Sequence, residues 1–214
     1  MSLHKPIYDD ANAGVFVTDK EHSKLALSAK RLTDITLGGL ALVGFLPLLL
    51  VATAIIKLDS TGPVLFRQQR VGRDGKLFEM LKFRTMKVDA PNVATDVLLS
   101  MGINPVTRAG KWLRRFSIDE LPQLWNVLKG DMSLVGPRPA LFNQYELTER
   151  RLAAGALKLP PGITGWAQVN GRDELPDDRK VELDAWYTAN WNYWLDWQIL
   201  IRTITAVISR RGTN

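Results

Sequence analysis

The chain contains no cysteine and only two histidines among its 214 residues. The first absence excludes disulfides, iron–sulfur clusters and thiolate zinc. The histidines, His4 and His22, both lie near the N-terminus. A Ser-His-Asp triad or a histidine metal site in the rest of the chain is thereby excluded. Acid–base or nucleophilic work there must fall to carboxylates, Lys, Tyr, Ser or Thr. Internal repeats and low-complexity tracts are also missing. The length suits one domain of ordinary size plus an anchor.

Basic residues outnumber acidic ones, with a net charge of +6 and a pI of about 9.6. The excess is local. Residues 57–86 hold seven Lys/Arg against three Asp/Glu, and residues 108–139 hold six against three. After Pro139 the balance is nine against nine. Nucleic acid, anionic lipid and phosphorylated small molecules are the partner classes such a field suits. Nucleic acid is the weakest of these, because acids interleave with the bases and no recognition motif is present.

One apolar run stands out, Ile35 to Ile56, 22 residues without a charge. As a straight helix it would extend ~33 Å, close to the hydrocarbon thickness of a bilayer. Its position and the absence of a following cleavage site argue against a signal peptide. Pro47, in its middle, removes a backbone donor and kinks a helix. Both flanks are basic, with Lys20, Lys24, Lys30 and Arg31 before and Lys57, Arg67, Arg70 and Arg73 after. A spanning helix should show charge asymmetry, whereas a segment that dips in, breaks at Pro47 and returns keeps both flanks on one side. From these residues a spanning helix, a re-entrant segment and a buried core helix all stay open. Residues 1–29 read as a cytoplasmic extension with some helix near 20–30.

In the body of the chain, Val64–Phe66 and Leu77–Met80 read as strands joined by the turn Gly72-Arg73-Asp74-Gly75. Residues 89–105 read as a loop around a short helix, and Arg108–Arg115 as a helix. Ser117 is the expected N-cap of a further helix, with Glu120 completing a capping box and Leu121, Leu124, Trp125 and Leu128 forming its apolar stripe. Asp119 would then sit at N2, where the macrodipole favours its ionised form. Two adjacent carboxylates on a helical turn point in directions ~100° apart. They can face one pocket, one as nucleophile and the other toward a hard cation such as Mg²⁺. Arg138, stiffened between Pro137 and Pro139, has the rigidity of a phosphate clamp. Pro161 to Arg172 is a glycine-punctuated loop ending in another arginine. Trp186, Trp191, Trp194 and Trp197 suit either a core or an interfacial belt. Leu195–Ile208 has an amphipathic pattern, followed by Arg210 and Arg211.

Together these blocks resemble the bacterial sugar transferases, small monotopic phosphoglycosyl transferases acting on polyprenol phosphate. The resemblance runs from about Lys30 to Gly212 and rests on Lys30-Arg31…Asp34, Pro47, Lys82-Phe83-Arg84-Thr85-Met86, Ser117 to Ser133, Gly136-Pro137-Arg138-Pro139 and Pro161 to Arg172. It implies an α+β fold: a re-entrant helix-break-helix anchor at 30–57, broken at Pro47 and flanked by Lys30 and Arg31, and a small, mostly helical catalytic domain at 58–214 with a short β-hairpin. It implies that Asp119 is the nucleophile and that Glu120, with Asp119, holds Mg²⁺. Arg114 and Arg138, the latter set by Pro137 and Pro139, would hold phosphate. Lys82, Arg84 and Arg172 would lie near a UDP-sugar. The implied reaction moves a sugar-1-phosphate to polyprenol phosphate with release of UMP, as the first membrane step of glycoconjugate or exopolysaccharide assembly. The implied location is the bacterial inner membrane, facing the cytoplasm. Membrane lipids are partners, and a homo-oligomer is left open. One departure is Leu46, where the family often has a small polar residue before the proline. The family's larger members carry further helices and an added domain, so this chain reads as the minimal catalytic form. Two rivals remain: Asp119 acting as a base without a covalent intermediate, and a membrane-tethered scaffold without catalysis.

Overall fold

A computed structural model describes residues 22–88, 90, 101–102, 105–171 and 175–208. Most of the N-terminal extension, most of the 89–105 loop, Arg172, Arg210 and Arg211 lie outside the described residues. The α+β architecture expected from the sequence is borne out: eight α-helices and two small sheets among the described residues.

Helices α1 (Lys24–Gly44) and α2 (Leu46–Asp59) form a bent pair with an angle of 58°. The break falls at Phe45, whose φ and ψ of −88° and 2° leave the helical range. Pro47 lies in the first turn of α2. Its missing N–H is harmless there, because the first turn of a helix has no acceptor for it. The sequence expectation of a break at Pro47 is thus displaced by two residues, to the last residue whose geometry the ring does not constrain. No single described helix is long and apolar enough to cross a membrane, whereas the bent pair together meets that length and composition. Leu32, Leu40, Val43, Leu50 and Leu58 on this pair are all more than 60% exposed. The opposite face packs on protein. Gly38 lets α1 approach α4 (Gln123–Lys129), since a Cβ there would sit 3.4 Å from Val127 Cγ1.

Strands β1 (Leu65–Val71) and β2 (Leu77–Phe83) pair antiparallel from Leu65↔Phe83 to Val71↔Leu77. Both are longer than the sequence pattern suggests, because the pairing continues into the polar residues Arg67 to Arg70. Helix α3 (Arg108–Arg115) follows, with Thr107 as N-cap, then a 3₁₀ turn (Ile118–Glu120) and α4. Strand β3 (Ser133–Val135) pairs parallel with β4 (Gly162–Thr164), with α5 (Tyr145–Ala153) in the connection. The short α6 (Trp166–Val169) and the helices α7 (Asp177–Asn190) and α8 (Tyr193–Ile208) complete the described chain.

One core cluster positions the site. Ala52 and Ile56 of α2 pack with Phe83 of β2, Leu113 of α3 and Ile118 of the 3₁₀ turn. A larger cluster joins Val135, Trp166, Tyr187, Trp191 and Ile199. The tryptophans therefore divide: Trp166 and Trp191 are core, while Trp194 is exposed.

Candidate active site

The 117–120 stretch is built differently from the capping box expected. Ser117 adopts a left-handed backbone (φ 54°), and its side chain caps nothing. The following turn is 3₁₀, and α4 starts only at Gln123. Glu120 is consequently free of a capping role. Its Oε1 accepts from Lys82 Nζ at 3.2 Å and from Arg138 Nη2 at 2.9 Å. Three residues from β2, the 3₁₀ turn and the loop after β3 are thereby joined.

The adjacent carboxylates differ in character. Burial alone would raise Glu120, but Arg138 and Lys82 outweigh it and bring it down to about 2. Asp119 is buried, and its carboxyl is raised above the usual aspartate value, first by burial and then by the charge of Glu120. Lys82 and Arg114 pull it down only in part. The expectation that the helix macrodipole keeps Asp119 low fails, because Asp119 is in a 3₁₀ turn ahead of the α-helix and is desolvated.

Both carboxylates line a cavity of about 890 Å³, together with Lys82, Arg84, Arg114 and Arg138. Arg114 donates from Nε to Thr85 Oγ1 at 2.9 Å. Arg84 is buried and donates from Nη2 to Ser60 O and Oγ, both at 2.8 Å, which ties the end of α2 to the site. The cavity reaches Ala41 and Phe45 at the helix break in one direction and Gln168 and Thr203 in another. Lys30 and Arg31, read from the sequence with the membrane residues, are turned to the protein. Lys30 is buried against Asp196 and Val135 O, and Arg31 donates to Leu128 O at 2.6 Å.

The Pro137-Arg138-Pro139 loop is held at three successive carbonyls. Gly162 N donates to Pro137 O at 3.0 Å, Arg151 Nη1 to Arg138 O at 2.9 Å, and Arg70 Nη1 to Pro139 O at 3.0 Å. Arg151 is buried in an ion pair with Asp184 at 2.7 Å. Sequence reasoning missed Arg70, Gln68, Thr85 and Arg151 as parts of this site. The available signal was the spacing of Gln68 and Arg70, two polar residues that a strand turns to one face.

No group of three or more Asp, Glu, His or Cys among the described residues could hold a metal ion by itself. Asp119 and Glu120 offer two carboxylates, a set that fits Mg²⁺ only when phosphate oxygens and water complete its shell.

An acidic pair in a cavity lined by several Lys and Arg side chains suits a substrate bearing phosphates, and the comparisons with known proteins agree. The family model described as bacterial sugar transferase matches residues 25–210. The uncharacterized sugar transferase EpsL of Bacillus subtilis is 44% identical over 184 residues, covering 86% of this chain and 89% of that protein. A UDP-glucose:undecaprenyl-phosphate glucose-1-phosphate transferase of Caulobacter vibrioides is 43% identical over 190 residues, with 84% and 70% covered. A protein of the same name in Escherichia coli is 41% identical over 208 residues, with 93% of this chain covered. The chain spans only 42% of that Escherichia coli protein. By the length of the family match and by these identities, the chain belongs to the bacterial sugar transferase family.

Proposed function

We propose that the chain transfers a sugar-1-phosphate from a UDP-sugar to polyprenol phosphate through a phosphosugar ester of Asp119. The observation that carries this reading is Asp119 in a cavity that holds Lys82, Arg114 and Arg138 and also reaches the α1–α2 break. Relatives named as transferring glucose-1-phosphate from UDP-glucose to undecaprenyl phosphate support the substrate classes.

In the first step an Asp119 carboxylate oxygen attacks the β-phosphorus. The bond from that phosphorus to the bridging oxygen breaks, and UMP leaves with both electrons. In the second step a phosphate oxygen of polyprenol phosphate attacks the same phosphorus. The Asp119 carboxylate leaves, and polyprenyl-diphospho-sugar forms. Lys82, Arg114 and Arg138 stabilise charge developing on the transferring and leaving phosphates, the main device in phosphoryl transfer. Glu120 keeps Lys82 and Arg138 in register. Mg²⁺, held by Glu120 and Asp119 with substrate oxygens, would add neutralisation of the diphosphate charge.

One substrate is soluble and the other is held in lipid, so the carboxylates must work at the interface. The α1–α2 pair, with its outward leucines, is the re-entrant anchor on this reading. Catalysis then occurs on the cytoplasmic face of the inner membrane. Asp119→Asn keeps shape without the nucleophilic charge. It should abolish exchange of labelled UMP into the UDP-sugar in the absence of acceptor, and exchange near the wild-type rate would exclude the covalent step. A phosphoenzyme also requires ping-pong kinetics.

A further inference from the structure

Gln68 and Arg70 occupy the same face of β1, two residues apart. The edge of β1 is tied to the chain just beyond Arg138: Val71 N donates to Ala140 O at 3.0 Å, and Arg70 bridges Leu141. Arg70 Nε and Nη2 converge on Gln68 Oε1 at 3.1 and 2.7 Å, while Nη1 reaches Pro139 O. All three nitrogens thus bind neutral oxygens. Arg151, the other arginine on this loop, has Asp184 as its counter-ion. Arg70 has no such carboxylate among the described residues. Its guanidinium is part-buried on the cavity wall. Burial first, then the charge of Arg138, lowers it to about 10. Glu120 attracts it but is already bound to Lys82 and Arg138. A desolvated cation without a counter-ion is costly unless an anion offsets it.

We infer that Arg70 is a phosphate-site residue that no sequence motif marked: it fixes the Arg138 loop through Pro139, and its uncompensated charge is neutralised by a substrate phosphate. This rests on the function proposed above. The phosphate is either the diphosphate of the sugar donor or the monoester of the lipid acceptor, and the kinetics of the two half-reactions distinguish them.

The test uses the full chain in nanodiscs with the UDP-sugar that wild type turns over. Gln68→Glu supplies the missing carboxylate while leaving Arg70 and its bonds in place. It should raise the KM for one substrate by about 10-fold or more, with the thermal midpoint unchanged. A raised KM for UDP-sugar, with slowed UMP exchange, assigns Arg70 to the donor. A raised KM for polyprenol phosphate alone assigns it to the acceptor. Arg70→Met should lower kcat/KM by about 100-fold, and Arg70→Lys should recover part of it. The inference is overturned if Gln68→Glu and Arg70→Met both stay within twofold of wild type. It is equally overturned if they lose activity only in step with a lowered thermal midpoint and with KM unchanged. Thermal stabilisation by UMP reads donor binding without turnover. A wild type that is stabilised by UMP, but releases none from any UDP-sugar, sinks the proposed function and leaves Arg70 standing if Gln68→Glu abolishes that stabilisation.

Discussion

Lys30 Nζ lies 2.6 Å from Asp196 Oδ2, joining α1 to α8 across 166 residues of sequence. Asp196 also accepts from Tyr187 Oη at 2.7 Å and from Trp191 Nε1 at 3.2 Å. The bent α1–α2 pair is therefore fastened to the rest of the protein by a buried ionic cluster. Removing one partner strands the other charge. Lys30→Met should cost about 3 kcal/mol, read as a lowered unfolding midpoint in detergent. Lys30→Met combined with Asp196→Asn should recover part of that loss, because no unpaired buried charge is left, although the single amide oxygen of Asn can accept from only one of Tyr187 and Trp191. A Lys30→Met protein as stable as wild type would mean that the pair contributes nothing.

The raised carboxyl of Asp119 sets a pH limit. On the proposed mechanism Asp119 attacks only when deprotonated, so the rate should fall as pH drops through its pKa, which burial and Glu120 hold above the usual 3.8. Glu120, at about 2, stays ionised throughout that fall. The profile of kcat/KM should show one acid limb, displaced upward from an ordinary aspartate. Lys82→Met, which removes a charge that lowers Asp119, should move the limb to still higher pH. A limb that stays put in this variant would separate Asp119 from the titration observed.

The lack of cysteine makes topology directly measurable. Lys24→Cys and Thr61→Cys place single thiols at exposed sites on either side of the bent pair. A re-entrant anchor requires both to react with an impermeant maleimide from the same side of sealed membranes. Opposite sides would establish a spanning helix. Pro47→Leu removes the proline penalty of ~3 kcal/mol for an unbroken helix, so it should shift labelling toward opposite sides.

Gly110 permits a close crossing between α3 and the chain after β2. A Cβ there would stand 2.0 Å from Thr85 O, a backbone atom. Gly110→Ala should force the two apart, break the Arg114–Thr85 hydrogen bond and destabilise the protein by about 1–3 kcal/mol. Circular dichroism melts and UMP exchange should both register it. Unchanged values would mean that α3 can shift without cost.

Local patterns made part of this structure legible before any coordinates. Arg108–Arg115 is helical over the residues its pattern indicated, because Thr107 and the apolar face of Leu113 act within a few residues. The β1–β2 hairpin was visible in its turn, where Asp74 and Gly75 take positive φ. Lys82, Asp119, Glu120 and Arg138 are brought together as the blocks implied. What stayed hidden depends on partners distant in the chain. Glu120 could not be separated from a capping glutamate without Lys82 and Arg138 beside it. Arg70 looked like one more flanking cation, since Pro139 is 69 residues away. Lys30 and Arg31 looked like the basic flank of an apolar segment until Asp196 and the end of α4 came into contact with them.

The loop around Arg138 owes its shape to β1, α5 and β4 at once. Its conformational entropy is surrendered when the chain folds, not each time a substrate arrives. On the proposed mechanism, an arginine mounted this way meets an incoming phosphate without waiting for a rearrangement. By the same token, damage far from the cavity, in any of those three elements, would be felt at the reacting phosphorus.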